Sequence, residues 1–64
     1  MEAEELEKIC SEVLESYPDK VNNYRLGAKG VLGLFMGEVM KRTKNEANPE
    51  QVSNILKVLL NPQP

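Results

Sequence analysis

The chain has 64 residues and a hydrophobic fraction of 41%, which is enough for one small core and for a single domain. It contains one cysteine and no histidine, so an internal disulfide is excluded and a zinc site lacks suitable ligands. No apolar run approaches the ~20 residues of a membrane span, and the N-terminus is acidic, unlike a signal peptide. We therefore expect a soluble intracellular protein without a membrane partner.

Charge is distributed unevenly along the chain, although the net charge is only −2. Residues 1–16 contain six glutamates and one lysine, whereas residues 17–64 contain seven basic and four acidic residues. The second part is therefore net positive, and it can offer a basic surface to an anionic partner despite the acidic total.

The first 16 residues predict an amphipathic helix, expected at about 2–16. Its apolar residues recur at the spacings of three and four that align on one helix face: Leu6, Ile9, Cys10, Val13, Leu14 and Tyr17. The glutamates fall mostly on the solvent side. Cys10 lies among the apolar positions, which favours a small buried hydrophobe over a reactive thiol.

Tyr17-Pro18 predicts the end of the first helix, because the residue before a proline is disfavoured in helical geometry. Pro18 itself suits the first turn of a new helix. This second helix is short and expected at about 18–26, with Gly27 in the left-handed conformation that commonly ends a helix. Residues 28–30 then form a connector.

A third helix is expected at about 30–43, where Leu32, Phe35 and Val39 recur at helical spacing. The fourth is expected at about 49–60, because Asn48 is a favourable N-cap and Pro49 a favourable first helical residue. It ends before Asn61-Pro62. The predicted fold class is all-α, a compact bundle of three to four short helices that makes residues 1–64 one domain.

Two glycines, Gly33 and Gly37, lie inside the third helix, where each costs roughly 1 kcal/mol relative to alanine. In helical projection they align with Gly30, Lys41 and Lys44 on the side opposite the apolar face. We call these five residues the glycine–lysine strip. Because glycine has no Cβ, the strip could receive a packed helix or the close approach of a ligand backbone, and both alternatives stay open here.

The strip ends in the basic cluster Lys41-Arg42-Thr43-Lys44. Cations at a helix C-terminus stabilise the negative end of the helix dipole, so the cluster has a purely structural explanation. The functional alternative is contact with phosphates, which positions a nucleic acid without reading its sequence.

Arrangements typical of catalysis are missing from the sequence. There is no histidine, no Gly-x-Ser-x-Gly elbow and no P-loop, and the glutamates of the first helix have no apolar pocket that would shift a pKa. We therefore expect no enzyme activity from this chain alone, and no cofactor or metal bound to it.

Three motifs, in order, resemble the C-terminal tail domain of the B subunit of the aspartyl/glutamyl-tRNA amidotransferase, in the GatB/YqeY family. They are Tyr24-Arg25-x-Gly27, Leu32-Gly33-x-x-x-Gly37-x-Val39-Met40-Lys41-x-Thr43-Lys44 and Ala47-Asn48-Pro49. The order and spacing of the three together are more specific than any one of them.

The resemblance implies that the chain is part of a longer subunit, which works with A and C subunits on tRNA of the Asn or Gln type. That assembly converts Asp-tRNA(Asn) or Glu-tRNA(Gln) to the amidated form with ATP, Mg and glutamine, in a domain absent here. The tail itself is expected to be monomeric and to grip tRNA, in the bacterial cytoplasm or in a mitochondrial or plastid matrix. The candidate tRNA-binding residues are Arg25, Lys29, Gly33, Gly37, Lys41, Arg42 and Lys44.

The chain departs from the family pattern at several positions. Relatives often have lysine where it has Ala28, Gly30 and Glu46, glycine where it has Asn45, and glutamine where it has Glu38. Fewer phosphate contacts imply weak, salt-sensitive binding. Three alternatives remain. The first is a stand-alone YqeY-like protein, although Ala47-Asn48-Pro49 favours the amidotransferase subunit. The second is a protein-interaction module that docks a partner through Gly33 and Gly37, and the third is a purely structural helical cap.

Overall fold

The computed structural model describes residues 2–61, and this part of the chain folds into four α-helices without a β-strand. Their bounds are α1 Ala3–Ser16, α2 Pro18–Arg25, α3 Val31–Arg42 and α4 Pro49–Leu60. The predicted all-α class is confirmed, and each predicted helix agrees to within one residue at either end. Pro62, predicted to stop the fourth helix, lies outside the described residues.

One hydrophobic core holds the four helices together. α1, α3 and α4 each pack extensively on the other two, and the shorter α2 packs less extensively on all three. Every helix contributes at least one buried side chain to the core: Leu6, Cys10, Val13, Tyr24, Phe35, Val39, Val52, Leu56 and Leu60, with Ala47 from the α3–α4 turn. The three larger helices therefore form a triangle in cross-section around that core.

The buried Cys10 thiol is part of this core. The residue has no exposed surface, and burial, with a smaller contribution from the nearby Glu7 carboxylate, raises the pKa of the thiol to about 11. A thiol held in its neutral form is a poor nucleophile. The interpretation of Cys10 as a small buried hydrophobe is confirmed.

Helix α2 ends in a Schellman motif centred on Gly27. The Ala28 N–H donates to the Asn23 carbonyl at 2.9 Å, and the Gly27 N–H donates to the Tyr24 carbonyl at 3.0 Å. Gly27 has φ +115°, a backbone conformation that side chains with a Cβ rarely adopt. The predicted role of Gly27 is confirmed.

Helix α3 ends in the same motif without a glycine. The Asn45 N–H donates to the Met40 carbonyl at 2.8 Å, and the Lys44 N–H donates to the Lys41 carbonyl at 3.2 Å. Lys44 and Asn45 both have positive φ, +55° and +63°. The projection of Lys44 onto the helix face was wrong, because α3 ends at Arg42 and the chain has already turned at Lys44.

The start of α4 follows the local sequence closely. The Asn48 side-chain oxygen accepts a hydrogen bond from the Glu50 N–H at 2.9 Å, and Pro49 is the first helical residue. This cap satisfies one of the N–H groups that the first turn leaves unpaired. The predicted N-cap is confirmed.

Candidate nucleic-acid interface on the third helix

The outer face of α3 carries most of the glycine–lysine strip. Phe35 and Val39 are fully buried, whereas Gly33, Gly37 and Lys41 are exposed on the other side of the same helix. Gly30, also exposed, directly precedes the helix. At 1.5 Å per residue the face from Gly30 to Lys41 is roughly 16 Å long. Helix geometry thus separates a core side of α3 from a solvent side.

The space above the glycines is open. A Cβ built at Gly30, Gly33 or Gly37 would meet no heavy atom of a neighbouring segment within 4 Å. No helix among the described residues therefore packs closely on these glycines. The first alternative for the strip, a packed helix, is excluded for helices of this part of the chain. The close approach of another molecule is compatible with the open face.

Two lysines at the end of the strip are available to an anion. Lys41, in the last turn of α3, and Lys44, in the turn after it, are both exposed. Neither ammonium group has a hydrogen-bond or ion-pair partner within residues 2–61. The left-handed backbone of Lys44 holds it beside the helix end rather than in line with Gly33 and Gly37.

Arg42 is partly neutralised by its neighbour one turn earlier. Its Nε lies 4.0 Å from Glu38 Oε1, in an i,i+4 pair whose side chains are 37% and 27% exposed. A pair of this exposure contributes little to stability, but the carboxylate reduces the positive potential next to Lys41.

Lys29 lies at the other end of the strip, in the connector before α3. Its Nζ is 4.9 Å from the centroid of the Tyr24 ring, within the range of a cation–π interaction. The ring is almost fully buried, so it provides a fixed support for the lysine. Lys29 directly precedes Gly30 in the chain, and its ammonium group lies over a ring of α2.

Arg25 lies elsewhere. Its Nε donates to the Leu60 carbonyl at 3.4 Å, a contact between α2 and the last turn of α4. The side chain also lines a hollow whose other lining residues come from α1, the start of α2 and α4, with none from α3. Of the seven candidates, Gly33, Gly37 and Lys41 share the outer face of α3. The remaining ones lie around it: Lys29 before the helix, Arg42 in its last turn, Lys44 after it, and Arg25 at the contact with α4.

Several of these contacts were not predicted from the sequence. The Glu38–Arg42 pair could have been found from its i,i+4 spacing. The Lys29–Tyr24 and Arg25–Leu60 contacts depend on how the helices pack, and no local pattern indicates them. Thr43 was identified only as part of a basic cluster, yet it is buried and its hydroxyl donates to the Met40 carbonyl at 3.2 Å.

Other kinds of site find no support in the part of the chain that the structure describes. No cluster of three or more histidine, cysteine, aspartate or glutamate side chains in residues 2–61 is placed to hold a metal ion. None of the helices described has the length and apolar character needed to cross a membrane.

Comparison with known proteins gives one family. The model of the GatB domain, which defines the GatB/YqeY family, matches residues 1–60. Similar proteins include the B subunit of the aspartyl/glutamyl-tRNA(Asn/Gln) amidotransferase of Pseudothermotoga lettingae, 49% identical over 86% of this chain and 12% of the relative. The B subunits of the same name from Coxiella burnetii and Legionella pneumophila are 46% and 42% identical, over 88% and 81% of this chain and 12% and 11% of the relatives.

The chain spans about one eighth of the length of these relatives. No solved structure matches it significantly. The family model covers nearly all of the chain, including every residue of the strip. The chain therefore belongs to the GatB/YqeY family.

Proposed function

We propose that this chain is a non-catalytic, tRNA-binding tail of a B subunit of the tRNA-dependent amidotransferase, and that the glycine–lysine strip contacts the tRNA backbone. The observation that carries the proposal is the exposed outer face of α3, where no neighbouring segment covers Gly33 and Gly37 and Lys41 lies at the end. Similar proteins that bear the name of this subunit support it.

The chemistry of the strip suits a phosphate backbone. Without Cβ atoms, Gly33 and Gly37 let phosphate and ribose groups approach the helix backbone closely. Lys29 and Lys41 supply positive charge near the two ends of the face, and Lys44 adds a third charge beside the last turn. Contacts of this kind fix the position of a nucleic acid without selecting its sequence.

Binding by this chain is weak in the proposal. Glu38 and Glu46 lie close in sequence to Lys41 and Lys44 and offset part of their charge. Two or three phosphate contacts give a salt dependence of about 10- to 40-fold in affinity between 50 and 200 mM salt. In the whole subunit the tail would add to a larger tRNA-binding surface, with ATP, Mg and the A and C subunits engaged elsewhere.

The experiment is a titration of the isotope-labelled chain with unacylated tRNA of the Asn or Gln type at low salt, followed by amide shifts. The double variant Lys41→Glu/Lys44→Glu is compared with Lys20→Glu/Lys57→Glu, which makes the same charge change at exposed lysines of α2 and α4. We expect shifts along α3 and its flanking turns, and a loss of at least about tenfold only in the first variant. Equal losses, or shifts away from α3, would refute the assignment.

A second candidate function is a protein-interaction module that docks a partner helix on the same strip. The observation in its favour is Leu34, an apolar side chain beside the glycines that is 44% exposed. Unchanged tRNA binding in Lys41→Glu/Lys44→Glu, together with loss of binding to the A and C subunits, would favour this candidate.

A stand-alone YqeY-like protein is the remaining alternative within the family. The relatives compared are much longer than this chain, which supports the tail of a larger subunit. The natural open reading frame is the decisive observation, since a catalytic domain encoded upstream of residue 1 excludes a solitary protein.

A further inference from the structure

A second surface lies along the seam between α1 and α4. Three hollows adjoin there, and all three are lined by Leu59, so that together they form one continuous open groove. We call it the α1–α4 groove. The hollow at its α2 end has a volume of about 470 Å³ and the one beside Val58 about 230 Å³.

The length of the groove matches a short helix. Its α1 wall extends from Glu4 to Glu15, eleven residues apart, which is roughly 17 Å or three helical turns. A helix of about 12 residues would fill it. A smaller ligand would leave most of the groove uncovered.

The floor of the groove is apolar. Val58, on α4, is 70% exposed, and its neighbours Ile55 and Leu59 are half-buried. Leu14 and Val21 continue the apolar floor towards α2. α4 therefore has more apolar residues than the core buries, and the outermost of them, Val58, faces solvent.

The wall of the groove determines the charge of its occupant. Glu4, Glu7 and Glu15 line it from α1, together with Lys8, and Arg25 lines its α2 end. The α1 side is the negative one, because that helix carries five glutamates and one lysine. A partner that brings lysine or arginine to this rim is attracted, and an acidic partner or a nucleic acid is repelled. An apolar floor beside one acidic wall fits an amphipathic helix that has an apolar stripe and basic residues on the flank facing α1.

We propose that the α1–α4 groove binds a basic amphipathic helix of a protein partner, with apolar side chains at i, i+3, i+4 and i+7 and basic residues on the flank that faces α1. The groove lies across the core from the outer face of α3, because α1, α3 and α4 form a triangle. The two surfaces can therefore be occupied together, and this proposal does not depend on the tRNA-binding role of the strip.

The test uses a synthetic peptide of about 14 residues with leucines at that spacing and lysines on one flank. Amide shifts of the labelled chain locate binding, and Val58→Asp and Glu7→Lys probe the groove. Leu26→Asp and Glu12→Lys are the matched controls, since both residues are exposed and line none of the three hollows.

We expect shifts along α1 and α4 on the groove side, and affinities about tenfold lower in each groove variant but less than about twofold lower in the controls. A peptide of the same composition with scattered leucines, and one with glutamate in place of lysine, should bind at least about tenfold more weakly. Equal binding of these peptides, equal effects of the four variants, or shifts centred on α3 would overturn the proposal. So would groove shifts that appear when the chain alone is concentrated, because the occupant would then be a second copy.

Discussion

The two sides of α3 differ in burial, since one side lies in the core and the other is exposed to solvent. On the inner side, Phe35 and Val39 have no exposed surface and join all the other helices in one core. On the outer side, Gly33 and Gly37 are exposed, and a Cβ at either position would meet no neighbouring segment. A single helix thus carries one face that is needed for folding and one that weakens the helix, since glycine is a poor helix former.

In a very small domain, such a division indicates where binding is to be sought. With only about 60% of its surface buried on folding, a chain of this size has a small margin of stability. Two exposed helical glycines that no packing among the described helices explains lower that stability further. We therefore expect substitutions on the inner face to change stability, and substitutions on the outer face to change binding.

The largest effect is expected from Phe35→Ala, which removes the largest fully buried side chain of the core. A loss of about 3–5 kcal/mol in the free energy of unfolding should leave much of the chain unfolded at 25 °C. Far-UV circular dichroism and urea titration measure it. The adjacent Leu34→Ala, on the outer side, is the control and should change stability by less than about 1 kcal/mol. Similar losses in both variants would contradict the division between the two faces.

The stability of the chain as a function of pH tests the core at Cys10, which lies on α1. Its pKa is raised in the folded chain from an ordinary value of 9.0 to about 11, so the unfolded chain ionises first as the pH rises. The stabilisation is complete below pH 9 and is lost between pH 9 and 11, on the order of 2–3 kcal/mol. Because tyrosines and lysines also titrate there, Cys10→Ala is the reference. Parallel stability curves for the two chains above pH 9 would contradict a buried neutral thiol.

Gly33→Ala and Gly37→Ala examine the outer side. Each should raise the free energy of unfolding by about 0.5–1 kcal/mol, because alanine favours the helix and its Cβ meets open space. In the same variants tRNA binding should weaken. Gly27→Ala is the matched control, since its φ of +115° makes the identical change destabilising. Thermal unfolding and tRNA titration supply both readouts, and stabilised variants with undiminished tRNA binding would remove the glycines from the interface.

The smallest effect is expected from Glu38→Gln, which frees Arg42 from its pair at 4.0 Å. Stability should change by less than about 0.5 kcal/mol, whereas tRNA affinity at low salt should rise about twofold. Glu12→Gln on α1 makes the same charge change on another helix and should alter tRNA affinity less. Equal gains would mean that only the net charge matters and not the position of Arg42.

The sequence predicted the helices well because their ends carry local signals. Asn48-Pro49 fixed the start of α4, and Gly27 fixed the end of α2, each through contacts within a few residues. The end of α3 carries a weaker signal, because Asn45 accepts a left-handed conformation but Lys44 is not typical of one. Lys44 and Asn45 adopt left-handed conformations because the chain must turn there towards α4, and a lysine gives no sign of this.

The candidate site was only partly predictable for a related reason. Helical spacing alone placed Gly33, Gly37 and Lys41 on one face, and the structure agrees. It could not show that Arg25 reaches Leu60, 35 residues away, or that Lys29 lies over Tyr24. Such contacts are set by how helices pack, and so is the α1–α4 groove, which none of the helices forms alone.

With both proposed surfaces occupied, the triangular packing of α1, α3 and α4 would make the domain a spacer. The shortest principal dimension of the Cα trace is 19 Å, and a single core fills it. A nucleic acid held at the outer face of α3 and a protein helix held at the α1–α4 groove would be kept at a fixed separation, because the distance between them is the thickness of two packed helix layers. Changing the volume of the core would then change the reach of the domain.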